Sequence, residues 1–301
     1  MVRLGLWVAF FIAAAAPAHA WSAQGHMASG AIAYDRLAVD DPAVVDRIRQ
    51  MMAAHPDKAR FDSALGDRTG PVRDRMLFEL MARWPDDVRR TRFDHPGWHH
   101  ELRVVSGWRL FGPLRFGEAE PAFRRNLAIV RDEQAEPADR AVALCWLFHL
   151  VGDMHQPLHA GHRMSDRFPA TDRAGTLAWV RRAANQPPVN LHFFWDRAAD
   201  LPGPDIASAE TIARAAEAMV SPDKVAPSEG TVEGQFHAWT MESEDLAAKV
   251  AYQGVALTAS ARPEDAPVLP PAYLGESRRL AEQRLGQAGI RLERLLTGLF
   301  P

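Results

Sequence analysis

Residues Ala141 to Phe148 form an apolar run, AVALCWLF, after which the chain reads HLVGDMHQPLH, His149 to His159. A stretch this apolar belongs inside a core, yet its continuation carries three histidines and an aspartate. Burying imidazole and carboxylate without a partner is costly, so whatever fold forms must supply one. In a helix, positions four apart sit one above the other, and His149 and Asp153 therefore present a nitrogen and a carboxylate from one face. Pro157 stops such a helix and frees the chain to bring His159 back from another direction. The segment NLHFFWD repeats the spacing with His192 and Asp196, again among aromatic residues. A single pair of this kind reads as a surface helical pair or a satisfied core histidine. Two pairs in apolar surroundings read as ligands, and mixed nitrogen and carboxylate donors suit zinc, with cobalt or manganese as substitutes.

The chain opens MVRLGLWVAFFIAAAAPAHA, one early arginine followed by an apolar stretch that ends in the small-x-small triplet Ala18-His19-Ala20. This is the pattern of a secretory signal peptide over residues 1–20, with the mature chain starting at Trp21 and export to the periplasm or the exterior expected. No later apolar stretch is long enough for a stable membrane anchor. Residues 21–301, about 280 in number, are compatible with one large catalytic domain. Cys145 is the single cysteine, which excludes an internal disulfide framework. The net charge of −3 supplies no global basic field for duplex binding, so a polyanionic substrate would need bound cations. Nothing points to an obligate protein partner.

Apolar residues recur at helical spacing over Ala28–Ala38, Val44–Ala54, Arg75–Val88, Pro121–Asp132, Pro137–Gln156, Ile206–Val220, Glu242–Thr258 and Ala272–Leu299. An all-α, single-domain helical bundle follows. Turn formers cluster at His95 to Gly97, Arg163 to Gly175, Gln186 to Pro188, Ser221 to Gly234 and Arg262 to Pro271.

Cleavage before Trp21 would free an α-amine five residues ahead of His26. Amine and carbonyl of one residue can chelate a metal, although an ordinary mature terminus reads the same way. With this the motifs Trp21-x4-His26, Trp84-Pro-Asp86, Trp98-His99, His149-x3-Asp153-x-His-Gln-Pro-Leu-His159 and Asn190-Leu-His192-x2-Trp-Asp196 stand in one order. That order resembles the zinc-dependent single-strand nucleases of the S1/P1 family, akin in fold to bacterial zinc phospholipase C, from Trp21 to the last helix.

The resemblance implies a trinuclear zinc site. By it, Asp86, His99, His149 and Asp153 hold one zinc, and His159, His192 and Asp196 a second. The amine and carbonyl of Trp21, with His26 and a shared Asp153, hold a third. It implies that Asp86, Asp153 and Arg89 take part in catalysis. Arg89 would neutralise developing phosphate charge or serve only as a supporting or solvated arginine. The zinc ions would activate water for in-line attack on phosphorus, leaving 5′-phosphate products from single-stranded DNA and RNA, with 3′-nucleotidase activity beside it.

The pattern departs from the family in two places. The family's Gly-Gly-Asn element has Ala174-Gly175-Thr176 as its nearest counterpart. After His99, where the family presents an aromatic and then an acidic residue to the base, this chain has His100, Glu101 and Leu102. Zinc phospholipase C activity on head groups therefore stays open, as does non-catalytic zinc binding. His155 and His162 are expected beside the ligands as supporting or substrate contacts and not as metal ligands, Cys145 in the core, and His55, His95 and His237 at the surface. Trp98, Trp108, Phe168, Phe193 and Phe194 are the aromatic candidates for stacking unpaired bases.

Overall fold

The computed structural model describes residues 21–105, 115–225 and 230–301. The expected leader and Trp108 lie outside the described residues. Within them the chain forms ten α-helices. These are α1 (Ala23–Asp40), α2 (Pro42–Met52), α3 (Lys58–Leu65), α4 (Gly70–Asp87), α5 (Ala119–Arg131), α6 (Pro137–Asp153), α7 (Leu191–Asp196), α8 (Asp205–Met219), α9 (Val232–Leu246) and α10 (Pro271–Leu299).

Helix α1 packs against α4, α8 and α10 and is buried on every side from Gln24 to Tyr34. Its small residues, Ala28, Ser29, Gly30, Ala31 and Ala33, let three neighbours approach at once. Helix α6 is likewise enclosed, between α4, α5 and α10, as its apolar run requires. The main core joins α1 to α6, α9 and α10, and a second apolar cluster gathers around Leu158, Trp195, Tyr252 and Tyr273.

Short strands do what helical periodicity does not announce. Strands β1 (Glu101–Val104), β2 (Arg115–Gly117) and β3 (Gly161–His162) form a sheet in the order β2-β1-β3. Strand β1 is antiparallel to β2 and parallel to β3, with Arg103 opposite Gly161 and Val104 opposite His162. That parallel pairing ties the segment after His99 to the segment after His159. Strands β4 (Trp179–Val180) and β5 (Val189–Asn190) pair antiparallel and lead directly into α7.

Several expected boundaries shift. Helix α6 ends at Asp153, not Gln156, because Met154 to Gln156 wind into tight turns, with His155 N–H donating to the Gly152 carbonyl and Gln156 N–H to that of Asp153. The expected helix Glu242–Thr258 is instead α9 from Val232, followed by a π-helical turn over Ala247–Ala251. The Thr231 hydroxyl caps α9 by accepting from Gly234 N–H at 3.1 Å, and Phe236, Trp239 and Ser243 face inward. Helix α3 buries only Phe61 and Leu65, too few to register as a period. His55, expected at the surface, is buried between Phe61 and Trp84 in edge-on contacts. His237 is exposed and hydrogen-bonded to Glu120 at 2.8 Å, and His95 stacks on Trp98 at 3.8 Å.

Candidate metal centre

Six parts of the chain converge where α1, α4 and α6 meet the sheet. Helix α1 brings His26, the last turn of α4 brings Asp86, and α6 brings His149 and Asp153. A 3-10 turn, Pro96–His99, brings His99, and another, Pro157–His159, brings His159. Helix α7 carries His192 and Asp196, and its first turn is held by the Asn190 side chain accepting from Phe193 N–H at 2.7 Å. Trp21, His26, His99, His149, Asp153, His159 and His192 have no exposed surface, and Asp196 is 3% exposed.

Hydrogen bonds assign the histidine tautomers, because a carbonyl oxygen can only accept. His149 Nδ1 donates to the Ala82 carbonyl at 2.8 Å, His159 Nδ1 to that of His99 at 2.6 Å and His192 Nδ1 to that of Ala174 at 2.8 Å. Each Nε2 is therefore a lone pair, and this is the arrangement in which a second carbonyl contact orients a metal-binding imidazole. Those lone pairs face other acceptors. His149 Nε2 lies 3.2 Å from Asp153 Oδ2 and 2.9 Å from His99 Nδ1, and His99 Nδ1 lies 3.1 Å from the same carboxylate oxygen. A single proton on His99 Nδ1 cannot satisfy both contacts. Around Asp196 Oδ1, His192 Nε2 stands at 3.7 Å and His159 Nε2 at 3.9 Å. Asp153 Oδ1, His159 Nε2 and Asp196 Oδ2 are buried with no hydrogen-bond partner.

Acceptors aimed at acceptors in a dry site call for cations. Zinc bonds of ordinary length place tetrahedral ligand atoms about 3.3 Å apart, within the spread found here. Among the described residues, three groups could each hold a metal ion: Asp86, His99 and His149; His26, His149 and Asp153, which shares His149 with the first; and, separately, His100, His159 and His192. Burial drives the Asp153 and Asp196 carboxyls well above the usual range and holds His99 and His159 well below theirs. Without cations these carboxylates favour protonation, and dications would restore their charge.

Supporting contacts fill out the centre. Arg89 donates to Asp86 Oδ1 through Nη2 at 2.6 Å and Nε at 3.0 Å, which orients that carboxylate. Gln156, not singled out in the sequence, donates to Asp196 Oδ1 at 2.6 Å and closes its own turn by accepting from Leu158 N–H. The Ala174-Gly175-Thr176 stretch that departs from the expected Gly-Gly-Asn still cradles His192. Arg173, Ala174 and Gly175 take φ values of 51°, 56° and 83°, which turns the Ala174 carbonyl toward the imidazole and that of Gly175 toward Leu191 N–H. Glycine is needed at 175, since a Cβ there would sit 3.1 Å from His192 N in a left-handed backbone. His155 is no ligand, because Nδ1 donates to the Val151 carbonyl at 2.7 Å and Nε2 accepts from Arg291 at 2.8 Å. Cys145 is fully buried beside Met52, as a core residue.

The S1/P1 Nuclease family model matches residues 21–301. The chain belongs to the S1/P1 nuclease family. No curated protein matches it. Members of the S1/P1 family are phosphodiester-hydrolysing nucleases, and membership implies a single-strand nuclease with nucleic-acid substrates. The mostly helical domain and its buried histidine and aspartate groups are consistent with the zinc sites of that family. Among the described residues no helix is long and apolar enough to cross a membrane.

Two clefts flank the metal groups of this S1/P1 nuclease. One, of about 470 Å³, is bounded by His100, Leu102, Phe116, His162 and His192. The other, of about 210 Å³, is bounded by Trp21, Arg83, Asp86, Phe193 and Asp196. Of the expected base platforms, Phe168 and Phe194 are buried, while Phe193 borders the second cleft with Arg197 stacked 4.7 Å over its ring.

Proposed function

We propose that the mature chain is an exported trizinc phosphodiesterase that cuts single-stranded DNA and RNA to 5′-phosphate products and also hydrolyses nucleotide 3′-phosphates. The observation carrying this reading is the convergence of imidazole lone pairs on buried carboxylates between two clefts. In the proposed assignment, Asp86, His99, His149 and Asp153 hold one zinc, His159, His192 and Asp196 a second, and Trp21, His26 and Asp153 a third. The Trp21 indole Nε1 donates to the Gly152 carbonyl at 3.0 Å, which supports an anchored mature terminus at the centre. Zinc there would supply Lewis-acid activation of water and of the phosphoryl oxygens.

The protein's own part is positioning. Asp153 lies 3.4 Å from His26, 3.1 Å from His99 and 3.2 Å from His149, where its carboxylate would serve two of the proposed sets. Arg89 holds Asp86 and keeps a cation beside the place where phosphate charge grows. In this reading the two clefts beside the metal sets are where the bases of an unpaired strand would enter. Single-stranded DNA and RNA incubated with correctly processed, zinc-loaded protein should release mononucleotides bearing 5′-phosphate, and a chelator should abolish the release. Intact polymer despite verified zinc would refute the proposal.

A further inference from the structure

We propose that His100 is a further protein ligand of the second metal, completing a four-donor set with His159, His192 and Asp196. The inference rests on the zinc reading of this cluster and extends it to a residue outside the nine ligands assigned above.

Donor atoms of His100, His159 and His192 lie within 4.8 Å of one another. The His100 ring stacks on that of His159 with centroids 4.7 Å apart and an interplanar angle of 23°, and it stands 5.9 Å from that of His192. A neutral imidazole offers one lone-pair nitrogen, which is what a metal ligand must supply.

The backbone at His100 is held firmly. Its carbonyl accepts from Ala119 N–H at 3.1 Å, and Gly117, with φ of 114°, leaves room for it where a Cβ would come within 2.0 Å. The next residue is committed elsewhere, since the Glu101 carboxylate binds Arg115 at 2.9 Å and Glu120 N–H at 3.1 Å. A strand so pinned on both sides presents His100 to the cluster by construction, which is the preorganisation a ligand needs. A further protein donor beside His159 and His192 would strengthen the hold on a metal at this position.

The test compares wild-type protein with His100→Phe, which keeps a ring of similar size, His100→Ala, which removes it, and His192→Ala as the reference for a lost ligand. Zinc release is followed during chelator titration, and the visible absorption of the cobalt-substituted protein reports coordination number. Circular dichroism of the metal-free proteins checks the fold. Both His100 variants should release one metal at about tenfold lower chelator concentration or less, as His192→Ala does, and lose tetrahedral cobalt intensity. Wild-type release and spectra in both, with His192→Ala defective, would overturn the proposal and make His100 a wall of the cleft. Wild-type release in His192→Ala as well would overturn the zinc reading of the whole cluster.

Discussion

Gly152, in the last turn of α6, is where the packing of the metal centre can be tested with a single methyl group. A Cβ at this position would stand 2.9 Å from His26 Nδ1 and 3.1 Å from its Cε1. Ordinary contact begins near 3.4 Å, so the imidazole would have to retreat by about half an ångström. It has nowhere to go, because its other face is stacked on His149 with centroids 4.0 Å apart and an angle of 17°. Metal–ligand distances tolerate about 0.2 Å, so the displacement exceeds what a His26–His149–Asp153 metal accepts. For the metal-free protein, overpacking costs about 1–3 kcal/mol while replacing glycine in a helix returns up to about 1 kcal/mol. Gly152→Ala should therefore be destabilised by about 0–3 kcal/mol without metal and by more with it. It should also release one zinc at a chelator concentration about tenfold lower or less. Urea unfolding with and without chelator, together with zinc stoichiometry, measures both quantities. A variant more stable than wild type when metal-free, with unaltered metal release, would refute the reasoning.

Two further substitutions probe the surroundings. His55 is buried with its pKa pushed down to about 4, chiefly by desolvation, so the unfolded chain binds its proton first and the stability it contributes is complete above about pH 6.5 and lost as pH falls toward 4. His55→Asn retains an acceptor for Asp57 N–H. In urea unfolding of the metal-free protein it should therefore lose up to about 3 kcal/mol less than wild type between those pH values, and parallel pH profiles would contradict this. Arg291, nearly buried, donates to His155 Nε2 and to both oxygens of Glu242, bracing the turn between Asp153 and His159. Arg291→Met should cost about 2–4 kcal/mol and weaken metal retention, whereas an unchanged unfolding midpoint would show that the brace carries no load.

Much of the fold was legible because amphipathic periods in α2, α5 and α10 and the apolar run of α6 are local properties of the chain. Helix α1 was read short because it is buried all round and has little periodic contrast. Strands β1 to β5 escaped notice because two to four residues carry no period; their existence depends on partners distant in sequence. The donor residue types were also readable, since histidine and aspartate four apart in an apolar run need a partner wherever they fold.

What the sequence by itself determined was therefore the kind of protein: a helical domain, carrying buried nitrogen and carboxylate donors, in motifs that place it with the S1/P1 nucleases. Only the tertiary structure decided which nitrogen of each histidine is the lone pair, because that choice belongs to the carbonyls of Ala82, His99 and Ala174, contributed by other segments. It likewise decided that His155 is spent on Arg291 while His100 faces the cluster. Both are histidines beside ligands, alike in sequence. Their difference arises from what the fold brings against each ring, and spacing along the chain does not encode it.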